Sequence, residues 1–322
     1  MIDHGGNLDE AIAHFGGERA GWLDLSTGIN RVPYPLPPLP ESAWRDLPTR
    51  SELARLTEAA RAAYRTNAAI APLAGAQAAI QMLPQLGAPG RAAVLSPTYN
   101  EHARALETAG WQVTEPASLA ALVGADLAVV VNPNNPTGER HAPDALFDLA
   151  GKVGRLVVDE SFCDVAPELS VAAHAGEGGL TVLRSFGKFY GLAGLRLGFV
   201  LAVQETIDAL TARAGPWPVS GAAIATGIEA LRDQAWADAT RARLAGDAAR
   251  LDALAECAGW RLVGGTTLFR LFETADAGKA QADFAAAHIW SRIFPWSKHW
   301  VRLGLPGTEA EWACVEEAFA AL

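Results

Sequence analysis

In the stretch LRSFGKFYGLAGLRLGF, residues 183–199, one lysine, Lys188, interrupts small and apolar residues fit for burial, and Arg196 follows it. Taking an ammonium group out of water is costly, so a chain keeps such a lysine where it is paired or reactive, and a desolvated amine attacks carbonyl carbon. Three other segments offer complementary groups. Asp159 in VVDES closes an apolar run and can pair with a protonated ring nitrogen. Asn135 in NPNNPTG lies in a turn-rich loop and can donate to an oxygen. LAGAQAAI, residues 73–80, reads as a loop entering a helix. There Gly75 permits the turn, and the N–H groups of Ala76 and Gln77 suit a phosphate that Ser185 and Arg196 can help enclose. Amine, acid, donor and anion cup are what a phosphorylated pyridine aldehyde needs. Taken singly, each has a plainer reading: a surface lysine, an aspartate capping a helix, a β-turn at Asn-Pro-Thr-Gly, a tight turn at Gly75.

The elements that must position these groups follow from the apolar pattern. RAAVLSP (91–97), LAVVVNP (127–133), RLVVDES (155–161), TVLRSF (181–186) and RLGFVLA (196–202) read as buried strands. Residues 76–86, 100–109, 143–152 and 204–214 read as helices between or after them. Continuous apolar strands alternating with helices predict an α/β fold with a mostly parallel central sheet, whose ligands bind at strand ends. Thr49 and Glu52 form a capping-box start for a helix opening at TRSELARL. The first forty residues read as irregular, ending in the proline-rich RVPYPLPPLPES. AGPWPVSG (214–221) reads as a hinge, followed by a long helix, strands within 259–272, a helix near 278–288 and a strand at 299–306. The expected organisation is an arm over 1–40 associated with the small domain and the substrate site, a large domain over 41–213, and a small α+β domain over 214–322.

Composition limits the partners. A formal charge of −10 argues against a nucleic-acid binder or an anionic-membrane binder while leaving room for a local cationic pocket. No apolar run is long enough to cross a bilayer, and MIDHGGNLDE lacks the pattern of a signal peptide, so a soluble, cytoplasmic protein is expected. Cys163, Cys257 and Cys314 are far apart in sequence and read as reduced, mostly buried thiols. The seven histidines show no ligand spacing, so no metal site is expected.

NPNNPTG, VVDESF and SFGKFYGLAGLRLGF, in this order and spacing, resemble the fold-type-I pyridoxal-phosphate enzymes of the aspartate aminotransferase superfamily over nearly the whole chain. The resemblance implies pyridoxal 5'-phosphate bound covalently to Lys188, with Asp159 on its ring nitrogen and Asn135 on its phenolic oxygen. Gly75, Ala76, Gln77, Ser185 and Arg196 would lie around its phosphate. Tyr99 in SPTYNEH matches the ring that stacks on the pyridine, and Arg302 in VRLGLP matches the arginine that grips a substrate carboxylate. It also implies a homodimer.

Within that superfamily, DHGGN (3–7), LDLSTGIN (23–30) and GGTTLFRL (264–271) look closest to the L-threonine-O-3-phosphate decarboxylases of cobalamin synthesis. That resemblance implies decarboxylation of L-threonine O-3-phosphate to (R)-1-aminopropan-2-yl phosphate. His4, Gly28 and Asn30 would lie near the substrate, and Arg292 in IWSRIF would serve its phosphate. Arg292 read alone has a plainer reading as an exposed rim arginine. An aminotransferase of histidinol-phosphate type needs the same lysine, aspartate and phosphate sites. A non-catalytic binding module on this fold is a remoter alternative. Four positions depart from the common pattern. Phe162 replaces a tyrosine, which mildly favours the decarboxylases. Leu47 stands where the histidinol-phosphate enzymes have a tyrosine, Ala76 lacks a hydroxyl, and Arg31 replaces a proline.

Overall fold

The computed structural model describes residues 4–322, so Asp3 of DHGGN and the first residues of the expected arm lie outside the described residues. The chain forms two compact units. The larger comprises Tyr34–Asn135 and Glu139–Trp236; the smaller takes the described residues up to Pro33, then Pro136–Gly138 and Ala237–Leu322.

In chain order, α1 (Leu8–Phe15) and β1 (Leu23–Asp24) open the smaller unit. The larger unit then runs through α2 (Ser42–Arg45), α3 (Arg50–Tyr64), β2 (Ala69–Leu73), α4 (Ala76–Met82) and β3 (Arg91–Val94). It continues with α5 (Glu101–Thr108), β4 (Gln112–Thr114), β5 (Leu127–Val131), α6 (Pro143–Ala150) and β6 (Leu156–Asp159). β7 (Leu180–Ser185), β8 (Gly198–Ala202), α7 (Gln204–Ala214) and α8 (Gly221–Arg232) complete it. α9 (Gln234–Cys257) carries the chain into the smaller unit, with β9 (Arg261–Thr266), β10 (Phe269–Glu273) and α10 (Ala277–Ala286). β11 (Ile289–Trp290), β12 (Arg292–Phe294), β13 (Ser297–Gly304) and α11 (Glu309–Ala320) follow.

The sheet of the larger unit has the order β2-β8-β7-β6-β5-β3-β4. β7, β6, β5, β3 and β4 are mutually parallel, and β8 runs against both its neighbours. Every residue of β5, β6, β7 and β8 is buried, as expected of strands covered on both faces. Val94, Val129, Val157, Leu183 and Val200 share one core with Leu106 and Leu210 from the helices. The parallel strands end together at Asp159 and Ser185, which places two of the chemically active segments at the sheet's carboxyl edge. The Thr49–Glu52 capping box starts α3 as predicted.

The smaller unit holds an antiparallel sheet in the order β12-β13-β10-β9 and a short parallel pair, β1 with β11. Trp260, Phe284 and Phe319 pack ring to ring, each pair of centroids within 5.5 Å. No described helix is long and apolar enough to cross a membrane.

Three expectations are corrected. The amino-terminal segment is not irregular throughout: α1 buries Leu8 and Ala11 against Trp22 and Ala285, with Ile12 packed beside them. This apolar stripe has helical spacing but is only two turns long and is flanked by glycines, so periodicity alone gave little signal. The segment at 214–221 is not the divide between units, because α8 packs on α3 and the compact units part at Trp236 and Ala237 within α9. The cysteines are not mostly buried: Cys163 is, but Cys257 and Cys314 are exposed. Cys257 ends α9 and Cys314 lies off the α11 stripe that buries Trp312, Val315 and Phe319.

Candidate active site

The candidate cofactor residues all fall in the larger unit. Gly75 turns the chain between β2 and α4 with φ +81, so the N–H groups of Ala76 and Gln77 open a helix and point away from any helical acceptor. The loop lies against the start of β8 so closely that a Cβ on Gly198 would stand 2.4 Å from the Ala76 nitrogen. The Arg196 guanidinium lies on the same turn, 2.8 Å from where a Gly75 Cβ would be. Ser185 sits opposite Gly198 at the end of β7. Gly75, Ala76, Ser185 and Arg196 therefore form one cationic cup at the sheet's edge.

Asp159 ends β6 at 2% exposure and accepts a hydrogen bond from His102 Nε2 at 2.8 Å. Its other oxygen takes the Ser161 backbone N–H at 2.9 Å and the Ser161 hydroxyl at 2.5 Å. Burial alone would raise its pKa, but His102 and Ser161 outweigh that and hold it below the ordinary carboxylate value. Asp159 is thus a buried acid that stays ionised to lower pH than an ordinary carboxylate, able to keep a pyridine nitrogen protonated. Tyr99 donates its hydroxyl to Gln77 Oε1 at 3.1 Å and meets His102 edge to face, centroids 6.2 Å apart. Burial and the charges of Glu101 and Asp159 push the Tyr99 phenol up to about 12, so it stays protonated.

Lys188 is half-buried, not buried as expected. Its neighbours explain how it is presented: Phe186, Phe189 and Tyr190 are buried, and Phe186, Tyr190 and Trp236 stack face to face. These aromatics fix the loop and leave Lys188 directed toward Phe162, its Nζ 5.6 Å from that ring's centroid. Phe162 gives the amine an apolar neighbour and offers no hydroxyl. Asn135 is half-buried in its loop beside Asn134. Asn134 is pinned through Nδ2 to the Pro97 carbonyl at 2.9 Å and through Oδ1 to the Thr98 hydroxyl at 2.6 Å. The ionised acid, the cup and the half-sheltered amine fit a phosphorylated pyridine aldehyde.

The candidate substrate residues fall in the smaller unit. Arg292 and Arg302 are directly opposite each other on β12 and β13. Like charges facing across a sheet repel unless an anion lies between or near them. Arg302 is only 6% exposed, donates to the Ser26 carbonyl at 2.5 Å and lies 5.2 Å from the Phe269 ring centroid. Burial first, then Arg292, push its pKa down to about 9 despite the opposing pull of Asp24. Arg292 is half-buried over Phe294 and is not a solvated rim residue. His4 and Arg292 line one pocket of about 320 Å³ with Ser26, Ser291 and Phe294, though Glu10 lines it as well. Gly28 and Asn30 are buried but are not among that pocket's lining residues. The Asn30 side-chain oxygen Oδ1 accepts Arg243 at 2.7 Å and the Val32 N–H at 3.1 Å. Arg31 turns to Glu311, with bonds of 2.5 and 3.0 Å.

Sequence reasoning passed over His102 and the buried trio Arg184, Glu160 and Asp164. His102 stands three residues after Tyr99, one turn along the same helix start, and that spacing was its signal. Glu160 accepts Arg184 at 2.6 Å and the Val171 N–H at 2.6 Å, while Arg184 also pairs with Asp164. Arg184 stands one residue before Ser185 on the opposite face of β7, Glu160 follows Asp159 directly, and Asp164 lies in the turn after β6.

Residues 46–311 match the family described as aminotransferase class I and II. Over 312 residues the chain is 46% identical to a threonine-phosphate decarboxylase of Sinorhizobium sp., covering 94% of this chain and 93% of that one. It is 42% identical over 325 residues to a threonine-phosphate decarboxylase of Pseudomonas aeruginosa, covering 99% and 97%. The fold is similar to that of a histidinol-phosphate aminotransferase from Sinorhizobium meliloti solved in complex with pyridoxal-5'-phosphate. There the TM-score is 0.80 at 18% identity, with 97% of this chain and 94% of that one covered.

Proposed function

We propose, for a chain that belongs to the class I and II aminotransferase family, the decarboxylation of L-threonine O-3-phosphate to (R)-1-aminopropan-2-yl phosphate and carbon dioxide. The observation that carries this reading is the facing pair Arg292 and Arg302. A phosphorylated amino acid brings two anions, and a chain of net charge −10 can hold them only on local cations of this kind. The names of the two full-length relatives agree with it.

Pyridoxal 5'-phosphate, when bound, supplies a protonated ring that accepts the electron pair released at the substrate's Cα. The chain's residues do the rest. Lys188 would hold the cofactor covalently through its Nζ and would move a proton at the substrate's Cα. Asp159, kept ionised by His102 and Ser161, holds the proton on the ring nitrogen. Asn135 donates to the phenolic oxygen, and Gly75, Ala76, Gln77, Ser185 and Arg196 take the cofactor's phosphate, with Tyr99 against the ring. Arg302 grips the carboxylate with its planar fork. His4 and Arg292 take the substrate's phosphate, with Gly28 and Asn30 shaping the segment beside them. Orientation would select the reaction, because the group on Cα that the site sets in the cleavage position is the one that leaves. Holding both anions turns the carboxylate, and not the hydrogen, into that position.

The two arginines then have different jobs. Arg302→Ala is expected to weaken every α-amino acid, phosphorylated or not. Arg292→Ala is expected to weaken threonine phosphate selectively, by about 1.5–3 kcal/mol for a charged hydrogen bond. His4→Ala and Asn30→Ala should share that pattern more weakly. The measurement is the ratio of kcat/KM, or of binding, for threonine phosphate over threonine; an unchanged ratio in Arg292→Ala places the phosphate elsewhere.

The active form is a cytoplasmic homodimer on this reading. Leu36, Trp44 and Leu47 are exposed within one short run of the larger unit, an apolar surface of the kind a second copy covers. Light scattering should return about twice the 33.9 kDa of the chain. A stable, fully active monomer would remove the dimer from the account.

A further inference from the structure

Asp159 and Ser185 close neighbouring strands, and the residue next to each is tied to the residue next to the other. Glu160 extends the pairing of β6 with β7 by one residue, its N–H donating to the Leu183 carbonyl at 3.0 Å. Its carboxylate is used at both oxygens. Oε1 accepts the Val171 N–H, and Oε2 accepts the Ser170 hydroxyl and one terminal nitrogen of Arg184, all at 2.6 Å. Arg184, one residue before Ser185 on β7, reaches Asp164 with its other terminal nitrogen. Its guanidinium lies 4.3 Å from the ring centroid of Tyr64, a buried residue of α3. Burial opposes the charge on Arg184, but Asp164 and Glu160 outweigh it and keep the group ionised. All of these residues belong to the larger unit.

Stability is a poor reason for such a cluster. Glu160, Asp164 and Arg184 are 0%, 6% and 4% exposed. Buried ions lose hydration that their attraction often only offsets, and apolar side chains of similar volume usually serve a fold as well. What a planar fork between two carboxylates supplies is a single geometry. The backbone it governs is the turn Asp159-Glu160-Ser161. Ser161 returns to Asp159 Oδ1 through its N–H at 2.9 Å and its hydroxyl at 2.5 Å, and Glu160 is the residue between them. We infer that Arg184 and Glu160 are positioning residues for Asp159, fixing this turn so that Ser161 stays on the Asp159 carboxylate. This rests on the proposed role of Asp159 as the acid on the cofactor's ring nitrogen. When the clamp is loosened, the backbone at Glu160 rotates, Ser161 leaves Asp159, and the carboxylate swings at the sheet's edge.

The test is a double-mutant cycle in the loaded enzyme, read by turnover and by the NMR resonance of an isotopically labelled ring nitrogen. Arg184→Lys keeps the charge but cannot fork between two carboxylates. It should lower kcat about tenfold and move the resonance toward that of the unprotonated ring. In the Asp159→Asn background the same substitution should cost less than about twofold, because it acts through Asp159. An equal loss in both backgrounds overturns the positioning role. Ser170→Ala removes only one donor to Glu160 and decides the matter if Arg184→Lys does not fold, with a smaller shift of the same sign expected. Val130→Ala, at a buried position of β5 in the same sheet, is the control and should lower Tm without moving the resonance. An equal shift in this control would reduce the effect to general loosening and overturn the inference. A resonance that moves in Asp159→Asn but in neither clamp variant overturns the positioning role alone. One that does not move in Asp159→Asn overturns the acid assignment, and the inference with it.

Discussion

Lys188→Ala is expected to leave the fold intact and lower turnover about a thousandfold or more, since proton transfer by a placed side chain is alone worth about 10²–10⁴. The fold should tolerate it because the buried Phe186, Phe189 and Tyr190 anchor the loop. Tm should stay within a few degrees of the parent. The chain has only four lysines, at 152, 188, 279 and 298, so the anchor can be found directly. Reduction of the loaded enzyme with borohydride followed by digestion should place the added mass on the peptide containing Lys188. A label on another lysine, or near-normal turnover in the variant, would sink the assignment.

Asp159→Asn should keep the cofactor bound while slowing turnover about a hundredfold or more, the scale of losing a few kcal/mol of charge stabilisation in the transition state. An amide is neutral and cannot hold the ring nitrogen protonated. The shape of the site survives, because Asn also fits between His102 and Ser161. His102→Phe should give a smaller loss with the same spectral change, since Asp159 then keeps only its Ser161 bonds. The sign of the pH effect follows from the lowered pKa. The stability that Asp159's charge contributes is fully present above the ordinary carboxylate value and is lost only as pH falls through the depressed one. Any acid limb that Asp159 contributes to the rate profile therefore lies below the ordinary carboxylate range, and a limb within or above that range that vanished in Asp159→Asn would contradict this. Near-normal turnover of that variant at saturating cofactor would remove Asp159 from its role.

The large sheet was legible because its strands are unbroken apolar runs, and Asp159 and Ser185 were legible because polar residues end those runs. What the sequence did not reveal depends on separations it does not encode locally. Asn30 meets Arg243 across 213 positions. The Gly264–Gly265 pair reads as a weak strand until Thr137 is seen lying on it. Lys188 sits in residues fit for burial, yet the aromatics around it go inward and leave the amine half-exposed. The divide between the units falls inside a continuous helix, α9, where neither glycine nor proline marks it. His102 was visible as a histidine but not as the partner of Asp159, since the separation of 57 positions is closed only by the parallel sheet.

The central claim is that this chain breaks the bond from Cα to the carboxylate of a phosphorylated amino acid. Purified enzyme loaded with pyridoxal 5'-phosphate should be given L-threonine O-3-phosphate alone, with no oxo-acid acceptor, and carbon dioxide and aminopropanol phosphate measured over time. The account predicts sustained release of both in equal amounts, over many turnovers. No carbon dioxide, together with amino transfer from histidinol phosphate to 2-oxoglutarate, would contradict it and make the chain an aminotransferase.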